Sequence, residues 1–204
     1  PGETGSLVAT YSNDGNTDWS ISVGFNGSNS NWATVDGASS GMLNYNNGNG
    51  EKEFTIEITP DDSVEANTQN EFYIEGKDGN AWKCRTAVTV TVGQSHGASL
   101  SLGNSGLYNI EPGQDATTTL TVTNQGNGPD TFRISASSPP TGWAVSLESS
   151  TISTQSRFSN EKTGTIDVTI SLPLNALATE EVTITFSVLP TSSAVSYTHL
   201  RAHE

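Results

Sequence analysis

The sequence contains one cysteine, few basic residues and no long apolar run. The single cysteine, Cys84, excludes an internal disulfide and the multi-cysteine zinc sites. The apolar runs fall far short of the roughly 20 residues that a transmembrane helix requires, and no segment resembles a signal peptide. The 8 Lys and Arg residues face 22 Asp and Glu residues, and the net charge of -14 opposes binding to nucleic acid or to anionic membrane surfaces.

Hydrophobic residues make up only 32% of the chain, and the 3.6-residue pattern of amphipathic helices is missing. The apolar residues instead alternate with polar ones in short stretches, as in Val88, Val90 and Val92. Gly, Asn, Ser and Thr fill the gaps between these stretches, as they do in turns that connect strands. The composition therefore indicates an all-β protein.

An internal repeat divides the chain. Three motifs recur at a spacing of 111 residues: Pro1-Gly2 with Pro112-Gly113, Asn13-x-Gly-Asn16 with Asn124-x-Gly-Asn127, and Trp32-Ala33 with Trp143-Ala144. A period of about 110 residues is too long for a solenoid repeat and indicates independently folded domains.

Each module contains about seven short strands, with turns about every 8 to 15 residues, which is typical of a two-sheet antiparallel sandwich. The strands predicted in the second module are 98–102, 117–123, 130–136, 143–147, 164–170 and 181–188. We therefore predict an all-β fold of two tandem Ig-like antiparallel β-sandwiches. The predicted domains are 1–94 and 98–190, joined by a short linker around 93–97, with 191–204 as a further linker and a tail.

Both modules are predicted to lack a terminal strand. The second module begins with a strand ahead of Pro112, whereas the first begins directly at Pro1 and is expected to lack its N-terminal strand. The first module ends with the alternating segment 86–92, and the second is expected to lack the equivalent C-terminal strand. The tail VSYTHLRAHE breaks the composition and resembles translated sequencing-adapter read-through, so its His199 and His203 are not proposed as a metal pair.

Two recurring motifs are assigned structural roles. The Asn-x-Gly-Asn element joins two alternating strands, and Asn and Gly tolerate the positive φ that a tight connection requires. Trp32 and Trp143 each follow a polar or proline-rich loop and are predicted to anchor the core of their module. The alternative for both residues is an aromatic surface that stacks on a ligand.

Two polar segments contain residue types that are found in calcium sites or in sugar-binding sites. The segment from Asp14 to Asp18 is similar to a calcium loop, but Trp19 and Phe25 occupy the positions that need Gly and Glu. It is interpreted as a solvated turn, with a weak calcium site as the alternative. Tyr45, in a Gly- and Asn-rich loop, is a possible sugar-contacting aromatic residue.

No catalytic group is predicted. The carboxylates that follow Pro60 are interpreted as a solvated loop rather than a glycosidase pair; they are Asp61, Asp62, Glu65 and Glu71. His96 is the only histidine ahead of the tail and lies in the linker, without a Gly-x-Ser-x-Gly motif to supply a nucleophile. Cys84 has basic neighbours but no histidine partner and is interpreted as buried or incidental. We therefore predict no catalytic, metal or cofactor-binding residues, no cofactor, and a ligand site that is unknown.

The second module carries the motifs of a known family. These motifs are Glu111-Pro112-Gly113-Gln114, the run from Thr119 to Asn127, Asp130-Thr131-Phe132 and the run from Pro140 to Leu147. They resemble the Ig-like module associated with prokaryotic alpha-galactosidases, close to the cell-adhesion-related CARDB-type domains. The resemblance spans 98–190 well and 1–94 more loosely. It implies a module of secreted or surface-anchored proteins that serves as a spacer, an adhesive unit or an accessory to an enzyme.

The expected function is therefore a non-catalytic structural or adhesion spacer in a larger extracellular or cell-surface prokaryotic protein. The alternative is a carbohydrate-binding or positioning accessory of an extracellular glycoside hydrolase or peptidase, which an exposed aromatic platform would favour. The expected partners are neighbouring repeats of the same polypeptide, with polysaccharide or another surface protein as further candidates. Neither nucleic acid nor membrane is an expected partner.

Overall fold

The computed structural model describes the chain except for residues 1, 46–49, 104–108, 178–180, 193–197 and 203–204. The chain divides into two compact units, Pro1–Gly93 and Gln94–Glu204. Both consist of antiparallel strands, and the described residues include no helix long and apolar enough to cross a membrane. The predicted all-β class is confirmed.

The described residues of the first unit form seven strands in two facing sheets. They are β1 (Gly5–Ser12), β2 (Trp19–Gly27), β3 (Ala33–Asp36), β4 (Ser40–Leu43), β5 (Glu51–Ile58), β6 (Gln69–Asp78) and β7 (Ala81–Thr91), with a short 3-10 helix at Ser30–Trp32. One sheet has the order β1-β5-β3 and the other β4-β2-β6-β7. The alternating apolar residues of both sheets meet in one core, as expected for a sandwich.

Eight strands occur in the part of the second unit that the structure describes. They are β8 (Ala98–Leu102), β9 (Asp115–Asn124), β10 (Asp130–Ala136), β11 (Ala144–Leu147), β12 (Thr151–Thr154), β13 (Thr163–Ser171), β14 (Ile184–Pro190) and β15 (Thr198–Ala202). The sheets have the orders β11-β13-β9-β8 and β12-β10-β14-β15. The six predicted strands of this module are confirmed. The short β12 and the terminal β15 were not predicted.

The internal repeat is also a repeat of topology. Strands β1 to β7 take the same places in the first unit as β9 to β15 take in the second. The bounds of β3 and β11, and those of β4 and β12, lie 111 residues apart, which is the spacing of the sequence motifs. The two Ig-like sandwiches are therefore built to one plan.

The units differ at their edges. β8 pairs with β9 in the second unit and has no equivalent among the described residues of the first, as predicted. The prediction that the second module lacks its final strand is corrected, because Thr198–Ala202 pairs with β14. This strand lies in the tail that was excluded because its composition differs from the rest of the chain. Without β15, β14 would be an edge strand, and the unpaired backbone groups of an edge can bond an extended segment whatever its sequence.

Each unit has its own apolar core. Trp32 in the first core and Trp143 in the second are 3% and 7% exposed, which confirms both as core residues. The Trp32 indole Nε1 also donates a hydrogen bond to Asp61 Oδ2 at 3.2 Å. Asp61 therefore supports the core tryptophan, a role that its place in a charged loop did not reveal.

The Asn-x-Gly-Asn turns work differently from the prediction. They connect strands that belong to opposite sheets, and none of their residues has a positive φ. In the second unit Asn124 Nδ2 donates to the carbonyls of Gly128 and Gln155, each at 2.9 Å, and Asn124 Oδ1 accepts from Gly126 N at 2.7 Å. The buried Asn side chain therefore shapes the turn, rather than a left-handed backbone.

The first unit repeats this arrangement. Asn13 Nδ2 donates to the carbonyls of Thr17 and Leu43, each at 2.9 Å, and Asn13 Oδ1 accepts from Gly15 N at 2.9 Å. Leu43 ends β4 and Asn13 follows β1, so one amide links the two sheets. The motif recurs because each sandwich uses the same polar link at one end.

We predict that Asn124→Ala destabilises the second unit by about 1 to 3 kcal/mol, because buried backbone groups of the turn lose their partners. Chemical denaturation followed by far-UV circular dichroism would measure the change. Gln125→Ala is the matched control, since the Gln125 side chain is exposed. Equal stability of the two variants would show that the amide link is dispensable.

Candidate functional site

The outer surface of sheet β4-β2-β6-β7 carries a group of polar and aromatic side chains, here called the aromatic face. It consists of Asn26 on β2, Tyr73, Glu75 and Lys77 on β6, and Trp82 and Arg85 on β7. On β6 the buried Phe72 and Ile74 point into the core, so the intervening residues point outward. Alternation along β6 therefore creates the face.

A β-bulge brings the residues of β7 onto this face. Glu75 lies opposite Arg85 and Lys77 lies opposite Trp82, with a register shift between Gly76 and Lys77. The shift leaves Lys83 as the extra residue, so that Trp82 and Arg85 share one side of the strand although they are three positions apart. A regular strand would have turned Trp82 to the other side.

Arg85 lies between the two aromatic rings. Its guanidinium carbon is 4.6 Å from the centroid of the Tyr73 ring and 5.1 Å from that of Trp82, within the range of cation–π contact. Trp82 is nevertheless 56% exposed. The result is a row of flat groups at the surface, which offers stacking area and guanidinium donors side by side.

Glu75 is the buried acceptor of this face. Its carboxylate accepts a hydrogen bond from Asn26 Nδ2 at 3.1 Å and forms an ion pair with Lys77 Nζ at 3.1 Å. The hydrogen bond from Asn26, followed by the contacts with Lys77, lowers the pKa of Glu75, although burial acts in the opposite direction. Gly24 leaves room for the Lys77 side chain, because a Cβ there would lie 2.6 Å from Lys77 Cε.

The fold does not require these residues. The pair of Ser135 and Ser187 in the second unit is equivalent to the pair of Gly24 and Glu75 in the first, so Ser187 takes the place of Glu75. On the same register Thr185 takes the place of Tyr73 and Leu189 that of Lys77. The same sandwich thus forms without the aromatic face. This site was not predicted from the sequence. The feature that indicates it is the run of large polar and aromatic residues at the outward positions of β6.

The candidates of the sequence analysis lie elsewhere. Tyr45 is 44% exposed, and its backbone N–H donates to Asp18 Oδ1 at 3.0 Å; the neighbouring residues 46–49 are outside the described part of the chain. Asp18 therefore braces the Tyr45 loop. No cluster of three or more His, Cys, Asp or Glu side chains suited to a metal occurs in the described part, so the calcium alternative has no cluster of that kind there.

His96 lies in an arrangement that contains the residue types of a catalytic triad. Its Nδ1 is 2.6 Å from Asp130 Oδ2 and 3.4 Å from Ser192 Oγ, and Ser192 donates to Asp130 Oδ1 at 2.9 Å. A triad needs the acid and the nucleophile on opposite ring nitrogens, whereas both partners meet Nδ1 here. The cluster instead holds the predicted linker against the second unit.

Cys84 was interpreted as buried or incidental, and the first of these is wrong because Cys84 is exposed. It lines a cleft of about 430 Å³ in the first unit, together with the turn 12–17, Trp19, Asp78 and Lys83. The cysteine and the acidic turn, which the sequence treated as unrelated, therefore border the same cleft.

One family model matches most of the second unit. Residues 110–189 match the family model described as the NPCBM-associated, NEW3 domain of alpha-galactosidase. This NEW3 match confirms the resemblance drawn from the motifs between Glu111 and Leu147. A search of curated protein sequences finds no match.

Solved structures resemble the chain only distantly. Domains 4 and 5 of the S-layer protein SbsC are 18% identical, with 72% of this chain and 66% of that chain covered at a TM-score of 0.34. The major pilin subunit of Bacillus cereus is 7% identical, with 98% and 69% covered at a TM-score of 0.36. The chain spans 19% of the SbsC structure of domains 1–6. Likenesses of this size say nothing about function.

We predict that Glu75 makes the first unit sensitive to acid. The folded-state pKa lies below the ordinary value of 4.5, so the ionised carboxylate stabilises the fold above that pH, and the stabilisation is lost as pH falls through the lowered pKa. Urea unfolding at a series of pH values should show a smaller acid loss for Glu75→Gln than for the unmodified chain.

Glu71→Gln, on the exposed part of the same strand, is the control for this measurement. It should retain the full acid loss. A Glu75→Gln profile that parallels that of the unmodified chain would show that the contacts with Asn26 and Lys77 do not favour the ionised form.

Proposed function

We propose that the two modules are non-catalytic structural units of a larger extracellular or cell-surface prokaryotic protein, in which they space and present other domains. The observation that carries this proposal is the repeat itself: one sandwich plan is used twice in tandem, each time around a separate core. A domain that closes its own core can be joined to others without loss of fold. The match of the second unit to a domain associated with a glycosidase supports a role alongside other domains.

The linker chemistry is suited to a spacer. Ser95 N donates to Asn127 Oδ1 at 2.7 Å, and Gln125 N donates to the Gly97 carbonyl at 2.8 Å. Residues 94–97 are thereby held along the second unit instead of forming a free connection. The strongly acidic composition favours solubility of such an array.

We expect the 204-residue chain, pulled by its ends in a force spectrometer, to unfold in two separate events. Each event should release about 30 nm of chain, since about 90 residues extend by about 3.5 Å each. Phe186→Ala removes a buried ring from the second core only and should lower the force of one event. A single event, or a drop in both forces, would contradict independent load-bearing modules.

A second candidate function is carbohydrate binding by the first unit, and the aromatic face favours it. Sugar rings stack on flat exposed aromatic groups while planar side chains bond their hydroxyls, and Trp82, Arg85 and Asn26 supply both kinds of contact. Lys77 and Arg85 of this face are 2 of the 8 basic residues of the chain, and Glu75 is the one acidic residue of the face. The face is therefore a place on an acidic protein where an acidic sugar meets less repulsion.

We predict that the chain is retarded in gels that contain polygalacturonate or galactomannan, and that Trp82→Ala weakens this binding about tenfold, as for loss of an aromatic anchor. Met42→Ala is the matched control, because Met42 is 54% exposed on β4 of the same sheet. Affinity electrophoresis measures the effect. Free migration of the unmodified chain in both gels, or equal losses in the two variants, would contradict a sugar site on this face.

A further inference from the structure

In the second unit, residues 94–102 occupy a defined seat beside the Asn-x-Gly-Asn turn and β9. Ser95 and Gly97 bond the turn, and the following strand β8 pairs with β9 from Ala98 opposite Asn124 to Leu102 opposite Leu120. Ala98 and Leu100 are buried in the core. β8 also lies against β14 and β15, so it closes the gap between the two sheets.

Gly126 is the closest point of this contact. A Cβ on Gly126 would lie 2.3 Å from the carbonyl oxygen of Ser95, so only glycine admits the segment at this point. Asn127 Oδ1 accepts from both N and Oγ of Ser95, at 2.7 and 3.1 Å. The Gly and the last Asn of the motif are thus explained by the segment that they hold.

The first unit has the same seat without an occupant among the described residues. Within the described ranges, β1 is the outer strand of its sheet and pairs with β5. Gly15 and Asn16 stand where Gly126 and Asn127 stand in the second unit. A Cβ on Gly15 would meet only Asn13 Oδ1, at 3.0 Å, and no hydrogen bond to the Asn16 side chain is found within the described part of the chain.

Core-facing groups are uncovered along this seat. Ala9 is half-buried, whereas its equivalent Leu120 lies beside β8, opposite Leu102, and is completely buried. Cys84, on β7, is also exposed. Its Sγ nevertheless lies between the sheets, above Gly76, where Ile21 and Tyr11 are also placed. The cleft of about 430 Å³ runs along the same turn, from residue 12 to residue 17. The opening therefore coincides with the place that residues 94–102 fill in the second unit.

We propose that this opening is a strand-acceptor site, and that its occupant is an extended segment of the Gln94–Leu102 type from the same longer polypeptide, on the amino-terminal side of the first unit. Such a segment brings a small polar residue to Asn16, a carbonyl to Gly15, and alternating leucines to the core. Its backbone bonds the free edge of β1, as in strand addition to other sheets. This inference does not depend on the proposed spacer function or on the aromatic face.

The main experiment adds the segment in cis. In this chain a second copy of residues 94–111 directly precedes Pro1. The copy then has the same sequence relation to Pro1 as residues 94–111 have to Pro112. Cys84 is the only cysteine, so its reaction rate with a thiol reagent reports on this cleft alone. We expect the added segment to slow this reaction at least about tenfold and to raise the unfolding midpoint of the first unit.

Two controls separate docking from general stabilisation. In the extended chain, Gly15→Ala should restore fast Cys84 reaction, because its Cβ takes the space of the segment carbonyl. Gly5→Ala, where a Cβ meets nothing within 4 Å, should leave the slow reaction unchanged. Replacing the two leucines that correspond to Leu100 and Leu102 in the added segment by serine should also restore fast reaction. The unextended chain with Gly15→Ala reports whether the substitution harms the fold by itself.

Three outcomes would overturn the proposal. The first is Cys84 reacting equally fast with and without the added segment. The second is equal protection by the segment with the two serine substitutions, which would mean that binding does not depend on the alternating leucines. The third is a concentration-dependent dimer of the unextended chain, seen by sedimentation, that itself protects Cys84, since the occupant would then be a second copy.

Discussion

Each sandwich depends on one buried asparagine amide that joins its two sheets. Asn13 follows β1 and Asn124 ends β9. Each donates to a carbonyl at or next to the end of a strand in the other sheet, while its Oδ1 atom holds the turn. A buried amide left without partners costs several times what a satisfied one contributes, so this connection has essentially one acceptable arrangement. The path of the following strand, and with it the sheet to which β2 or β10 belongs, is set at this point.

The same turn also governs the way each unit closes. In the second unit the glycine and the last asparagine of the motif receive residues 95–97, and β8 then covers the core. In the first unit these two residues are present, but no strand lies on the outer side of β1 among the described residues, and the interior is open at Cys84. A motif that looks like a simple connection is therefore both an internal link and a contact surface for the preceding segment.

The two units show how function is added to such a fold. Their cores and topology agree, yet the outward positions of β6 hold Tyr73, Glu75 and Lys77, where the second unit has Thr185, Ser187 and Leu189. Outward residues of a sheet contribute little to the core, so they vary without loss of the sandwich. The aromatic face needed in addition the bulge at Gly76, which turns Trp82 toward Arg85. Neither the number of aromatic residues nor the alternation along the strands predicts that Trp82 faces the same side as Arg85.

The sequence by itself determined the all-β class, the tandem repeat, most strands of the second unit and the core roles of Trp32 and Trp143. These depend on alternation and on motif spacing, which are local properties of the chain. Only the tertiary structure decided the role of the Asn-x-Gly-Asn turns, the exposure of Cys84, the pairing of Thr198–Ala202 with β14 and the gathering of Glu75, Arg85 and Trp82. These depend on which distant segments meet, and a carbonyl 30 residues away or a strand edge left open has no signature in the local sequence.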